Sequence, residues 1–252
     1  MTAVGSVSAT VKGAKLVQAG VMPGKVKSYV TPVKLVPQKL FNPYNNYQYY
    51  LAGGFMPTVF HMFVVLSFMF AMGMELKEGT AEEWIRSARG SVVAALAGKA
   101  LPYFVCFSAI GMLMVTMLFR FSDTPVEGSL AAIFAALLLF ILAGMAVAFF
   151  MTALYANLRF ALSSAAFYTA IAFTFSGLTF PVMSMPAGVR YIGEIIPLTH
   201  YLRIFIGQSL RGAPLETNCA SFICLALFLL LPVFIMPRWR RVVSDSRYWG
   251  GI

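Results

Sequence analysis

The sequence predicts an all-α integral membrane protein with about five transmembrane helices, short interfacial helices, and an irregular or β-containing extracytoplasmic segment at its N-terminus. Hydrophobic residues make up 60% of the 252 and charged residues only 11%, whereas roughly 45–50% apolar content is usual for a soluble domain. Five apolar stretches are long enough to cross a hydrocarbon core of about 30 Å as helix. Charge is segregated too: four of the nine acidic residues, Glu75, Glu78, Glu82 and Glu83, lie within one short stretch between apolar runs. That stretch belongs in water.

Residues 1–50 contain six lysines but no apolar run of signal-peptide type. They read as the remnant of an extracytoplasmic domain. The β-branched, partly alternating run over 26–36 is compatible with a strand or two, kept short by Pro32 and Pro37. Residues 42–46 form a turn cluster, and Tyr44, Tyr47, Tyr49 and Tyr50 suit an interfacial aromatic belt. The transmembrane part covers 51–236, with spans near 51–74, 101–119, 130–154, 161–183 and 220–236. Pro232 and Pro237 mark the end of the fifth span, and 237–252 form a tail.

Five spans place the termini on opposite sides. One side carries nine basic residues (Lys77, Arg86, Arg89, Lys99, Arg159, Arg238, Arg240, Arg241 and Arg247). The loops of the other side carry four (Arg120, Arg190, Arg203 and Arg211). The excess of basic residues on the cytoplasmic side of membrane proteins puts the 75–100 segment and the tail inside the cell, the N-terminal lysines being discounted because long segments translocate largely regardless of charge. The expected location is the cell (inner or plasma) membrane. The net charge of +10 is spread over tails and loops without interleaved aromatics, which argues against a nucleic-acid partner and leaves membrane lipid as the partner of the basic flanks.

Several polar residues stand out against this background. Thr80-Ala-Glu-Glu83 matches a capping box, in which Thr80 caps the Glu83 amide and the Glu83 carboxylate reaches back. Gly79 permits the sharp turn out of the span. Glu82 and Glu83 sit in the first turn of the helix, where its dipole favours anions, and Trp84, Ile85 and Ala88 can face lipid or neighbouring helices. His61 lies mid-span and should face the bundle, either as a hydrogen-bonded packing residue or on a substrate path. Thr169, Ser176 and Thr179 recur near helical spacing in the fourth span, lining a path or bonding neighbouring helices. Gly144 and Ala148 permit close helix approach. His200 is expected at the outer interface, solvated and with no acidic partner nearby, so no metal site is expected from the two histidines. Cys106, Cys219 and Cys224 read as buried small hydrophobes rather than a disulfide or metal set. Arg238-Trp-Arg-Arg241 reads as an aromatic and cationic anchor in the cytoplasmic leaflet, with contact to a partner domain as the other reading. Between the fourth and fifth spans, prolines break an apolar stretch into two expected short helices, 187–195 and 198–210, at or within the outer membrane surface.

Four blocks resemble the permeases of type-2 ABC exporters (ABC-2 type transporter transmembrane subunits). They are Leu40-Phe-Asn-Pro43 with Tyr47, then Glu75-x-x-Glu78-Gly79-Thr80-x-Glu82, then Gly98-Lys99-Ala-Leu-Pro102. The last is Ile195-Ile-Pro197-Leu-Thr-His200-Tyr201 through Arg203 to Gly212. The resemblance implies that Glu75, Glu78, Gly79, Thr80, Glu82 and Glu83 form an ATPase-coupling hinge, and that Pro197, His200, Arg203 and Gly212 form an outer-interface motif. It implies an ABC ATPase partner that binds the ATP, and a second permease subunit in a homo- or heterodimer. Family permeases usually have six spans, so the resemblance also implies a chain truncated at its N-terminus or split from its first span. No GxxxxGK[ST] motif occurs, so this chain is expected to be a non-enzymatic transporter subunit, with no cofactor of its own. A non-transporting membrane scaffold or assembly factor built on the same fold is the competing reading.

Overall fold

The most apolar segment of the chain becomes the centre of the bundle. In a computed structural model of the protein, which describes residues 12, 14–20, 22, 47–121, 124–179, 182 and 185–250, helices run in the order α1 (Tyr47–Lys77), α2 (Ala81–Ser87), α3 (Val92–Phe121), α4 (Leu130–Tyr155), α5 (Leu158–Phe175), α6 (Ala187–Glu194), α7 (Pro197–Ser209), α8 (Leu215–Phe228) and α9 (Leu231–Ser244). The chain divides into Met1–Tyr44 and Asn45–Ile252. In the first unit, residues 14–18 are helical, where an irregular or β-containing segment was expected. The strand expected over 26–36 and the turn cluster over 42–46 lie outside the described residues, as do the side chains of Tyr44, Tyr47, Tyr49 and Tyr50.

Helix α4 contains no charged residue and buries most of its surface. It starts cleanly because Ser129 accepts the Ala132 amide at 3.3 Å, and ends at Ala156 in a left-handed conformation (φ 50°). Asn157 then opens α5 by accepting the amides of Arg159 (3.0 Å) and Phe160 (3.2 Å). Helices α1, α7, α8 and α9 all pack on α4. The α1–α4 approach depends on Gly144: a Cβ there would sit 3.2 Å from Val64 Cγ1 and 3.4 Å from His61 Nδ1.

Among the described residues, five helical segments are long and apolar enough to cross a membrane: Leu51–Lys77, Val92–Phe121, Leu130–Tyr155, Leu158–Phe175 and Leu215–Ser244. Among the described residues there is no strand. The bounds differ from those expected in three places. Helix α3 begins nine residues before the expected span at Leu101, because Ser91 accepts the Ala94 amide (3.3 Å) and Lys99 is neutralised by an acid from α1, so the apolar helix runs on. Helix α5 stops at Phe175. Gly177 (φ 93°) turns the chain, so Ser176 and Thr179 are not on one helical face with Thr169. The fifth span is broken at Leu229–Leu230, whose amides bond three residues back, and resumes with Pro232 in the first turn of α9. Pro232 and Pro237 therefore lie inside the second half of that span rather than at its end.

The expected outer-surface helices form within a residue of their expected bounds, but only α6 is superficial, with Tyr191 and Ile195 well exposed. Helix α7 is enclosed by the bundle, with nearly every residue buried. Its Gln208 fixes the polar end of the bundle: Nε2 donates to the Ala213 carbonyl (2.8 Å) and Oε1 accepts the Ser129 amide (2.9 Å).

Candidate functional site: the acidic elbow

Helix α1 ends at Lys77, and Gly79 (φ 71°, a conformation that disfavours any side chain) turns the chain sharply into α2. The capping box expected at Thr80 does not form. Thr80 has φ −86° and ψ 1° rather than the extended geometry of an N-cap, so its hydroxyl does not face the Glu83 amide. It donates instead to Glu75 Oε2 at 2.5 Å.

Glu75 is thereby separated from the other acids. Its second oxygen forms an ion pair with Lys99 of α3, both side chains being four-fifths buried. The Lys99 ammonium also stands 5.4 Å from the ring centroid of Trp84. Glu75 thus ties α1 to Thr80 and α3, and its carboxylate points inward. Glu78, Glu82 and Glu83 are exposed. Glu82 pairs with Arg86 one turn on (2.7 Å), both side chains largely in the open, a contact worth only a few tenths of a kcal/mol.

Trp84 was expected to face lipid or neighbours, and Trp239 to anchor in a leaflet. Trp239 is fully buried. It meets Trp84 edge-on (ring centroids 6.4 Å) and Phe149 of α4 edge-on (5.2 Å). Arg238, itself exposed, bonds the protein: its Nε donates to the Ala153 carbonyl (2.9 Å) and its NH2 to the Leu154 carbonyl (2.7 Å). These are carbonyls of the last turn of α4, which lack partners within the helix. Beyond α9, the Gly250 amide donates to the Leu76 carbonyl (3.0 Å), so the tail folds back onto the end of α1. Trp84 meeting a neighbouring helix is one of its expected placements, but sequence patterning missed the Trp239, Arg238 and tail contacts because the fifth span was expected to end at Met236. The sole hint was three tryptophans flanking charged segments.

His61 is buried and faces the bundle, stacked on Phe140 (5.0 Å) and beside Tyr168 (6.0 Å). Neither ring nitrogen has a hydrogen-bond partner among the described residues; the ring packs on aromatic neighbours. The Thr169 hydroxyl donates to the Ala166 carbonyl (3.0 Å), and that of Thr179 to the Phe173 carbonyl (3.2 Å). Ser176 is buried without a partner among the described residues. The three hydroxyls do not form one polar stripe.

At the opposite end, His200 is buried rather than solvated. Its Nε2 lies 2.9 Å from the Glu194 carbonyl and 3.9 Å from that residue's carboxylate, so it does have an acidic neighbour. Arg203 grips the Glu194 carboxylate with both terminal nitrogens, one at 2.8 Å. That grip holds the Glu194 carboxyl below its ordinary value, and burial holds the His200 imidazole below its own. Pro197 starts α7 as a buried first-turn proline. Gly212 (φ 56°) packs so closely on the Glu127 carbonyl that a Cβ would stand 3.1 Å away. Cys106 and Cys219 are exposed rather than buried, since they sit on faces this chain does not cover. Among the described residues no group of three or more His, Cys, Asp or Glu is placed to hold a metal.

No curated protein and no solved structure matches the chain. The family described as ABC-2 family transporter protein matches residues 2–236, nearly the whole of this multi-pass membrane protein. Permeases of that family generally work with an ABC ATPase. The chain belongs to the ABC-2 transporter family, as a membrane permease subunit of an ABC transporter.

Proposed function

We propose that this chain is the permease of an ATP-driven exporter, that its acidic elbow lies in the cytoplasm, and that a separate ATPase grips the elbow at Glu78, Glu82 and Glu83. The supporting observation is the division of labour within one short segment. Glu75 takes a hydrogen bond from Thr80 and pairs with Lys99, while the other three acids are exposed. An exposed anionic face on a braced support suits a basic or polar groove on a partner, because the partner's motion is passed on rather than absorbed. Gly79 sets the angle at which α2 leaves the span, and two such subunits enclose the pathway. Closure of the ATPases on nucleotide then moves the spans as rigid bodies.

The competing reading, a non-transporting scaffold of the same fold, makes a different prediction. Tagged protein extracted in mild detergent should recover a P-loop ATPase that hydrolyses ATP, and the Glu78→Lys/Glu82→Lys variant should lose it. Recovery of no ATPase by the wild-type chain would favour the scaffold.

A further inference from the structure

All three tryptophans of the chain gather at the elbow. Trp84 lies on α2, Trp239 on α9 and Trp249 in the tail. Their arrangement is a relay. Lys99 and Trp239 both contact the Trp84 ring, and Trp239 in turn meets Phe149 on the central helix. Helix α9 is held to α4 a second time by Arg238, and α9 is itself the second half of a span interrupted by a turn at Leu229–Leu230. A short helix beyond such an interruption is a lever, and Trp239 is where the Trp84 ring of α2 meets it.

We propose that displacement of α2 enters the membrane bundle through Trp239, which swings α9 about the break at Leu229–Leu230, so that Trp239 is a positioning residue of transport rather than a membrane anchor. This rests on the reading of α2 as the ATPase contact. The elbow is also joined to the bundle through Glu75 and Lys99, but that pair links α1 and α3, which are continuous helices without a comparable break. Interlocked aromatic rings transmit displacement because a packed interior deforms little before it shifts as a unit.

The test uses the permease–ATPase complex in lipid nanodiscs, freed of its native cysteines and spin-labelled in two pairs, Ser87→Cys with Arg159→Cys and Ser244→Cys with Arg159→Cys. The first pair follows α2 and the second follows α9, each against the start of α5. With Trp239 present, ATP plus vanadate should shift both distance distributions. In Trp239→Leu the α2 shift should persist and the α9 shift should fall by more than half. ATP hydrolysis should continue while export drops at least tenfold, and Trp239→Phe, which keeps a ring, should restore both. If Trp239→Leu fails to insert, Trp84→Leu breaks the same contact from the other side and must give the same uncoupling. An unchanged α9 shift in the variants overturns the proposal while leaving ATPase docking intact. No α2 shift in the unmodified complex overturns the docking reading, and this proposal with it.

Discussion

Glu75 and Lys99, 24 positions apart on successive membrane helices, form an ion pair in which each side chain is four-fifths buried. Charges drawn largely out of water are costly unless paired, and Thr80 supplies an extra hydrogen bond to this pair. Removing one member leaves the other uncompensated.

Lys99→Ala should therefore destabilise the permease by about 3 kcal/mol, the scale typical of a broken buried pair. Glu75→Gln combined with Lys99→Met should recover most of that loss, since no charge is stranded. Thermal unfolding of the purified proteins in one detergent measures both.

Charge reversal on the exposed acids should behave in the opposite way. Glu78→Lys and Glu82→Lys alter groups that contribute little to the fold, so unfolding should shift by no more than about 0.5 kcal/mol. Export should fall in each single variant while ATP hydrolysis by the bound ATPase continues without transport, only the double reversal releasing the ATPase. Vesicle-based hydrolysis and export assays read the two separately.

Arg238→Ala should remove the donors that satisfy the Ala153 and Leu154 carbonyls at the end of α4. A loss of about 1–3 kcal/mol follows from two charge-assisted hydrogen bonds. Hydrogen exchange should rise in the last turn of α4 and in α9, and Arg238→Lys should restore only part of the protection.

Much of the bundle is legible in the sequence. Five apolar stretches gave five spans, and the proline-punctuated stretch after the fourth gave two short helices. The failures were local and share a cause. Hydropathy treats Arg238, Trp239 and Lys99 as signs of the membrane surface, but Lys99 pairs with Glu75, Trp239 is buried among aromatic rings, and Arg238, itself exposed, bonds the last carbonyls of α4. The capping box failed because Glu75, one turn upstream, competes for the Thr80 hydroxyl. His200 looked solvated because its acid, Glu194, lies on a different helix, and Gln208 gave no signal because its partners are backbone groups of two loops.

Acid should loosen the other end of the bundle first. Arg203 holds the Glu194 carboxyl below its ordinary value of 4.5, and burial holds the His200 imidazole below 6.5. For both groups the unfolded chain takes up protons more readily than the folded one. Their stabilisation is thus complete above the unfolded values and lost as pH falls through the folded ones. The unfolding temperature should drop below pH 6.5 and more steeply below 4.5, and Glu194→Gln should flatten the second phase. Melting curves between pH 8 and 4 check this.

Close helix approach at Gly144 gives a prediction in the middle of the membrane. Gly144→Ala asks Val64 and His61 to yield by a few tenths of an ångström and should be mild. Gly144→Leu should overpack the α1–α4 contact by about 1–3 kcal/mol, visible as loss of monodisperse protein in size-exclusion chromatography.

The decisive experiment is sided labelling of the elbow. In a chain lacking Cys106, Cys219 and Cys224, Glu78→Cys should be modified by a membrane-impermeant maleimide only after the cells are opened. Co-expression of the ATPase should then protect it. Labelling from outside intact cells would put the elbow beyond the reach of any cytoplasmic ATPase and contradict the coupling role proposed for it.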